Sequence, residues 1–470
     1  MIPPYLPLPE TWRPLVFVIP FAFAIVMLFN NLEKLILAAI AIGVPLNLDF
    51  SLIVSPYAAN YENIARGSRT LITITELRLS LLSIMVMIGY VLWLVRREQS
   101  ERIPIRFYPA TTIPALGFIF FSILSGVQAL DKQLWFFRIA QLVDAFLVYF
   151  YLANHIRTKK DMWFFSLFLL CGLLMESVLI IIQSLTDMKT FIFAGVQVVS
   201  LGRWRVAGTM GNPGPAAGYL SGMVMIALAM GWYYQKSLKK LLIGCVFLSI
   251  IALICTGSRI GLVGFLVSII LFFLIGLHQG WIKKSTFLFL IVSIFLIIIV
   301  FFGVISSRFS TLTDSSTQSR PMMWRLAWRT IQAHPWLGVG AGNYALVTRD
   351  YFTADIGVPG EVYDKIVHNA YLGIWAESGT FSILCYIGLL GSAILKAWSY
   401  NRLKPNFVSF LGIGLALALA SLSIQMVTGT FHTRPITYFV WILIALVACL
   451  SNLEEIQNPL QSGQLHLFDE

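Results

Sequence analysis

Charge is scarce in this sequence. Only 12% of its 470 residues are Asp, Glu, Lys or Arg, where a soluble chain carries roughly 25%. With a hydrophobic share of 58% and a mean hydropathy of +0.80, that scarcity excludes an ordinary water-soluble globule. Cysteine is sparse as well. Cys171, Cys245, Cys255, Cys385 and Cys449 fall within or at the ends of apolar runs, and none belongs to a Cys-x-x-Cys pair. They read as small buried residues, so neither a disulfide framework nor a thiolate metal site follows. A basic region before the first apolar run is missing: Met1 to Arg13 is proline-rich. The expectation is that no cleavable signal peptide is present and that the first run stays as a helix. Nucleic-acid motifs are missing too, so the net charge of +11 does not point to a nucleic-acid partner. No internal repeat is evident.

Long apolar runs are what the chain has in abundance. A bilayer-spanning helix needs about 20 mostly apolar residues. Such segments occur at roughly 14–30, 32–48, 77–95, 109–127, 134–153, 162–182, 213–232, 240–256, 260–278, 286–305, 369–395, 407–428 and 436–450. The first two are short and close, so the count is 12 or 13. Backbone groups in lipid must be satisfied internally, which leaves helices or a closed barrel. Runs this long without alternation exclude the barrel. The expected fold is an all-α, polytopic integral membrane protein. Its parts are membrane helices over 1–305, a long outer loop over 306–367 carrying an amphipathic helix, further membrane helices over 368–450, and a disordered cytoplasmic tail over 451–470.

Short connections containing Arg96-Arg97, Lys159-Lys160, Lys239-Lys240, Lys283-Lys284 and Lys396 form one basic set, which the positive-inside rule places in the cytoplasm. The alternate connections then face outward. Their positive charges are mostly arginine, among them Arg203, Arg205, Arg259, Arg320, Arg325, Arg329 and Arg434, while lysine is nearly confined to the inward set. Planar, bidentate recognition of phosphate favours arginine. The outward arginines as a group therefore suggest an anionic ligand.

Five outward motifs carry the pattern. Arg203-Trp-Arg-Val-Ala-Gly-Thr-Met-Gly-Asn-Pro marks a tight re-entry into the membrane. Cys255-Thr-Gly-Ser-Arg259 joins two spans with almost no loop, which holds Arg259 at the membrane boundary, where arginine is costly unless paired or functional. Asp144 and Glu176, inside the fifth and sixth spans, are both candidate counter-ions for it. In the long loop, Arg320-Pro-Met-Met-Trp-Arg-Leu-Ala-Trp-Arg reads as a helix with Trp324, Ala327, Trp328 and Ile331 on one face. Ser319 is its expected N-cap and Pro321 suits its first turn. The following His334-Pro-Trp-Leu-Gly-Val-Gly-Ala-Gly lacks the spacing of a dinucleotide loop and reads as a close-packed glycine turn. Lastly, His368-Asn-Ala-Tyr-Leu opens a membrane helix that continues to Glu377-Ser-Gly. His368 is the best general-base candidate, since an imidazole exchanges protons near neutral pH. Nine residues further on, Glu377 falls on the opposite side of the helix.

In this order the motifs resemble the O-antigen ligase and polymerase family of bacterial envelope glycan enzymes. The resemblance covers roughly residues 203–380. It implies a GT-C-like lipid-linked glycosyltransferase in the bacterial inner membrane, with its site on the periplasmic side and with no metal or cofactor. The donor would be a polyprenyl-diphosphate-linked glycan, such as one on undecaprenyl diphosphate. The acceptor would be a hydroxyl of lipid A-core, of a growing polysaccharide or of a protein. Carried over, Arg259 and Arg320 would hold the diphosphate, Arg205 would be a further site arginine, and His368 would activate the acceptor hydroxyl. Arg203, Arg325, Asn369 and Glu377 complete the expected substrate-binding set. A transporter of an anion or lipid-linked sugar is the competing reading, for which Asp144 and Glu176 give slight support and the missing repeat counts against. A scaffold without chemistry is the third.

Overall fold

The computed structural model describes residues 31–46, 48–54, 76–98, 105–186, 190–193, 196–199, 205–234, 236–288, 315–353, 355–357, 366–403, 405–429 and 433–457, with isolated positions between 289 and 300. The expected span at 14–30, most of that at 286–305, Arg203 and the tail beyond 457 lie outside these residues.

The described chain is almost wholly helical. In order it runs α1 (Leu32–Leu46), strands β1 (Asp49–Val54) and β2 (Glu76–Ser80), α2 (Leu81–Glu98), α3 (Pro109–Leu124), α4 (Lys132–His155) and α5 (Lys159–Thr186). Strands β3 (Thr190–Phe193) and β4 (Val196–Val199) follow, then α6 (Pro213–Tyr233), α7 (Lys236–Cys255), α8 (Arg259–His278), α9 (Ser315–Ala333), α10 (Ala370–Ser399), α11 (Phe407–Met426) and α12 (Arg434–Gln457). Nine of the described helices are long and apolar enough to cross a membrane, and α2 is a shorter apolar helix. The protein is thus an all-α polytopic membrane protein.

Two features depart from the expected spans. The β1–β2 and β3–β4 pairs are antiparallel two-stranded sheets, and β2 takes the residues 77–80 that were expected to begin a membrane helix. In addition, α9 begins at Ser315, before Arg320. Ser319 is therefore not its N-cap, and Pro321 lies inside the helix. The polar run before Arg320 has no apolar period, so only tertiary packing reveals that it is helical.

Burial divides the bundle into layers. The apolar windows of α6 and α12 are 94% and 89% buried, and that of α8 only 44%. Helices α6, α11 and α12 are thus surrounded by protein, while α3, α7 and α8 keep one face for lipid. Small residues bring the central helices together, as expected where lipid and side chains are equally apolar. A Cβ on Gly261 of α8 would come within 2.6 Å of the Ala217 Cβ on α6, and one on Gly264 within 2.9 Å of the Ser421 carbonyl on α11. These contacts seat the first turn of α8, where Arg259 begins the helix.

Candidate active site

Two tight turns place the first two arginines. The chain at 205–212 re-enters the bundle through a 3-10 turn at Gly208–Met210. Glu176, fully buried in α5, holds this turn: its carboxylate accepts the Thr209 N–H at 3.0 Å and the Thr209 hydroxyl at 2.6 Å. Gln183, two turns along α5, accepts the Gly208 N–H at 3.2 Å. Asn212 then caps α6 by accepting the Gly214 N–H, with Pro213 in the first turn. One residue after Arg205, the Val206 N–H donates to the Cys255 carbonyl at 3.3 Å. That bond ties the Arg205 strand to the turn between α7 and α8. In that turn the Thr256 hydroxyl donates to the Leu253 carbonyl at 2.7 Å, and Ser258 caps α8 through the Gly261 N–H at 3.2 Å. Arg259 is the first residue of α8, so the turn between α7 and α8 is as short as expected.

The third arginine comes from α9. Arg320 is half-buried, its Nε has no hydrogen-bond partner, and it lies in the electrostatic field of Arg259 and Arg205. Burial first, and those two guanidiniums second, pull its pKa below the ordinary arginine value. Three cations from separate segments therefore converge. Like charges held together at a partly buried site create a strong local demand for an anion.

The same helix reaches His368. Trp324 lies one turn beyond Arg320, and its indole N–H donates to the His368 carbonyl at 3.3 Å. Asn369 caps α10, its side-chain oxygen accepting the Leu372 N–H at 3.1 Å. The half-buried His368 thus stands at the mouth of α10 beside the arginine-bearing helix. Trp324, Ala327 and Ile331 pack with Val339, Tyr344 and Val367, and the Trp328 ring meets Trp375 of α10 edge-on at 5.6 Å. The apolar face of α9 therefore docks on protein.

Other expected residues serve different ends. Arg325 donates to the Asp355 carbonyl at 3.2 Å, and Arg329 pairs with the Asp355 carboxylate at 2.8 Å, so both turn toward the 353–355 segment. Glu377 is buried. Its carbonyl accepts the Gly340 N–H at 2.9 Å, and its carboxylate receives the Gly342 N–H and faces the buried Arg138 of α4. The glycine-rich turn after α9 is thus a clasp on the ESG segment. His334, just past the end of α9, bonds the Tyr351 hydroxyl at 2.5 Å. Glu176 holds the Thr209 turn, and Asp144 accepts from the Ser83 hydroxyl at 2.6 Å and from Tyr438. Arg138 was not singled out from the sequence, although a basic residue within an apolar span is a signal that could have found it.

A family model of O-antigen ligases matches residues 244–387. The match spans α7 to α10 and includes Arg259, Arg320 and His368, while Arg205 precedes it. No curated protein matches the chain. The match implies glycan transfer in the making of envelope polysaccharide. Over that stretch the chain is similar to the O-antigen ligases.

Proposed function

We propose that this protein transfers a glycan from a polyprenyl-diphosphate carrier to an acceptor hydroxyl at the outer face of the inner membrane. The observation that carries the reading is the half-buried Arg320 guanidinium, whose Nε has no hydrogen-bond partner, together with the Val206–Cys255 bond that ties the Arg205 strand to the turn before Arg259. Breaking the bond between the anomeric carbon and the diphosphate leaves an electron pair and negative charge on the phosphate oxygen. Preorganised positive charge at that point lowers the barrier more than it stabilises the bound donor. In this mechanism His368 takes the proton of the acceptor hydroxyl as its oxygen attacks the anomeric carbon. The diphosphate leaves from the opposite side, with inversion at that carbon. Trp324 and the Asn369 cap act as positioning residues for His368.

The test uses a strain lacking the gene, complemented with wild type or with His368→Ala, Arg259→Ala or Arg320→Ala, and resolves extracted envelope glycans on gels. Loss of transfer is expected in all three variants. Lipid-linked long chains beside bare acceptor would identify a ligase, and accumulated single repeat units a polymerase. Unchanged glycan in the His368 variant would overturn the assignment of the base, and retained anomeric configuration in the product would overturn direct displacement.

A further inference from the structure

Three lysines gather at the starts of α1 and α5, at the end of α5 remote from the turn that follows Arg205. The starts of α1, α5, α7 and α11 and the end of α6 surround an open cavity of about 640 Å³. Lys34, Lys159 and Lys160 line it together with Trp163, Tyr233 and Tyr234. Gln183, which bonds the turn beside Arg205, lies on the same helix as Lys160, about 35 Å away at the rise of an α-helix. That distance is a bilayer's width, so the cavity sits at the opposite membrane interface from the arginines.

Its chemistry differs from that of the arginine cluster. Ammonium groups are compact, mobile point charges, suited to a headgroup phosphate more than to a fixed bidentate grip. The acid that lines the cavity, Asp161, is engaged in the cap of α5, accepting the Thr158 N–H at 3.1 Å and the Thr158 hydroxyl at 2.7 Å. The balance of charge on the walls is therefore positive. The remaining wall is mostly aromatic, and the Lys34 ammonium itself stands 6.0 Å over the Phe164 ring. Rings of this kind settle at headgroup depth, and basic pockets between helix ends take anionic headgroups. The volume fits a headgroup with the upper part of its chains, within the range of small-molecule sites.

We propose that this cavity is a binding site for one anionic phospholipid, with the phosphate on Lys34, Lys159 and Lys160 and the acyl chains along the aromatic wall. The inference holds whether or not the transfer reading does.

Native mass spectrometry of the full chain in detergent tests it, with phosphatidylglycerol and phosphatidylcholine of matched chains added in equal amounts. The expected result is a preference of about tenfold for phosphatidylglycerol, unaffected by excess inorganic phosphate. The preference should disappear in the triple variant Lys34→Gln, Lys159→Gln, Lys160→Gln, with the lipid-free melting temperature unchanged. If the triple variant does not fold, the single variants Lys159→Gln and Lys160→Gln should each reduce the preference. Equal retention of both lipids, variants that keep the preference, or displacement by inorganic phosphate would each overturn the proposal, the last by showing a site for a soluble anion.

Discussion

The Trp324 indole N–H and the His368 main-chain carbonyl lie 3.3 Å apart, in a hydrogen bond that joins the arginine-bearing helix to the mouth of α10. Arg320 is one helical turn away from that indole, so the bond sets the spacing between the candidate base and the candidate phosphate clamp. Trp324→Phe keeps the ring among Ala327, Ile331 and Val367 but removes the donor. A neutral hydrogen bond contributes about 1 kcal/mol, which corresponds to roughly a fivefold effect on rate. The expected outcome is a drop of that size in turnover, with the Michaelis constant for the donor little changed. Initial rates in nanodiscs check this. A fall in melting temperature with turnover intact would assign Trp324 to packing alone.

The crowding of Arg205, Arg259 and Arg320 has a thermodynamic signature. Arg320 has a folded-state pKa below its unfolded one, so folding disfavours its charged form. Such a group costs stability at every pH below the folded pKa, and the cost fades as pH rises through that value toward the unfolded pKa. Arg320→Gln should therefore leave the ligand-free protein as stable as wild type or more so near neutral pH. An anion reverses the sign for wild type. Inorganic pyrophosphate at a hundred times its Kd should stabilise it by about 2.7 kcal/mol, and Arg320→Gln should lose most of that gain. Melting curves with and without pyrophosphate decide the point.

Raising the pH should weaken the clamp in the same order. Above the lowered pKa of Arg320 the cluster loses a positive charge, so the Michaelis constant for the donor should climb at a lower pH than an ordinary arginine would dictate. Lysine at the same position faces the same burial and the same two guanidiniums from a lower starting pKa. The climb should thus begin earlier in Arg320→Lys than in wild type. A profile that stays flat in both proteins would remove Arg320 from donor binding.

The Arg205 turn depends on a carboxylate far along the chain. Glu176 accepts both the N–H and the hydroxyl of Thr209 in a fully buried setting. Leaving a buried donor unsatisfied costs about 1–3 kcal/mol. Glu176→Ala should loosen the turn, lower the melting temperature and raise the donor Michaelis constant through Arg205. Glu176→Gln keeps an acceptor of the same shape and should recover part of both effects. If alanine and glutamine behave alike, the turn is held by other contacts.

What the sequence disclosed follows from which forces act locally. The membrane spans were legible because lipid requires about 20 consecutive apolar residues, and α3 to α8, α10 and α11 begin and end within a few residues of the apolar runs, while α12 runs on to Gln457 through the first residues of the tail expected to be disordered from 451. The place of Arg259 was legible because four residues from Cys255 leave no room for a loop. The convergence of Arg205, Arg259 and Arg320 was expected only through resemblance, since it depends on the Val206–Cys255 bond and on how α9 docks. Arg325 shares a helix with Arg320 and carries the same charge, yet a partner at Asp355 turns it away. Glu377 had the look of a site acid, and its burial against Gly342 and Arg138 is a product of packing that no local pattern encodes.

Gly379 carries the packing of this region on its backbone. It sits inside α10 with φ of 80° and ψ of −179°, a conformation that is essentially restricted to glycine. In an uninterrupted helix the Thr380 N–H would donate to the Ala376 carbonyl. Here it donates to the Pro335 carbonyl at 2.9 Å, and the Ala376 carbonyl accepts the Val339 N–H instead, also at 2.9 Å. The break thus exchanges helix bonds for bonds to the glycine-rich turn, and so fixes the connection between α9 and α10. A Cβ at 379 would meet the Trp336 carbonyl as well as the unfavourable φ. Gly379→Ala should destabilise by about 3 kcal/mol or more, with transfer lost because Arg320 and His368 part. Gly391→Ala, twelve residues along the same helix, places its methyl group where no atom lies within 4 Å. It should be neutral or stabilising by up to about 1 kcal/mol. Thermal unfolding of the two variants side by side settles the matter: equal melting temperatures would mean that the kink is not what holds the clasp.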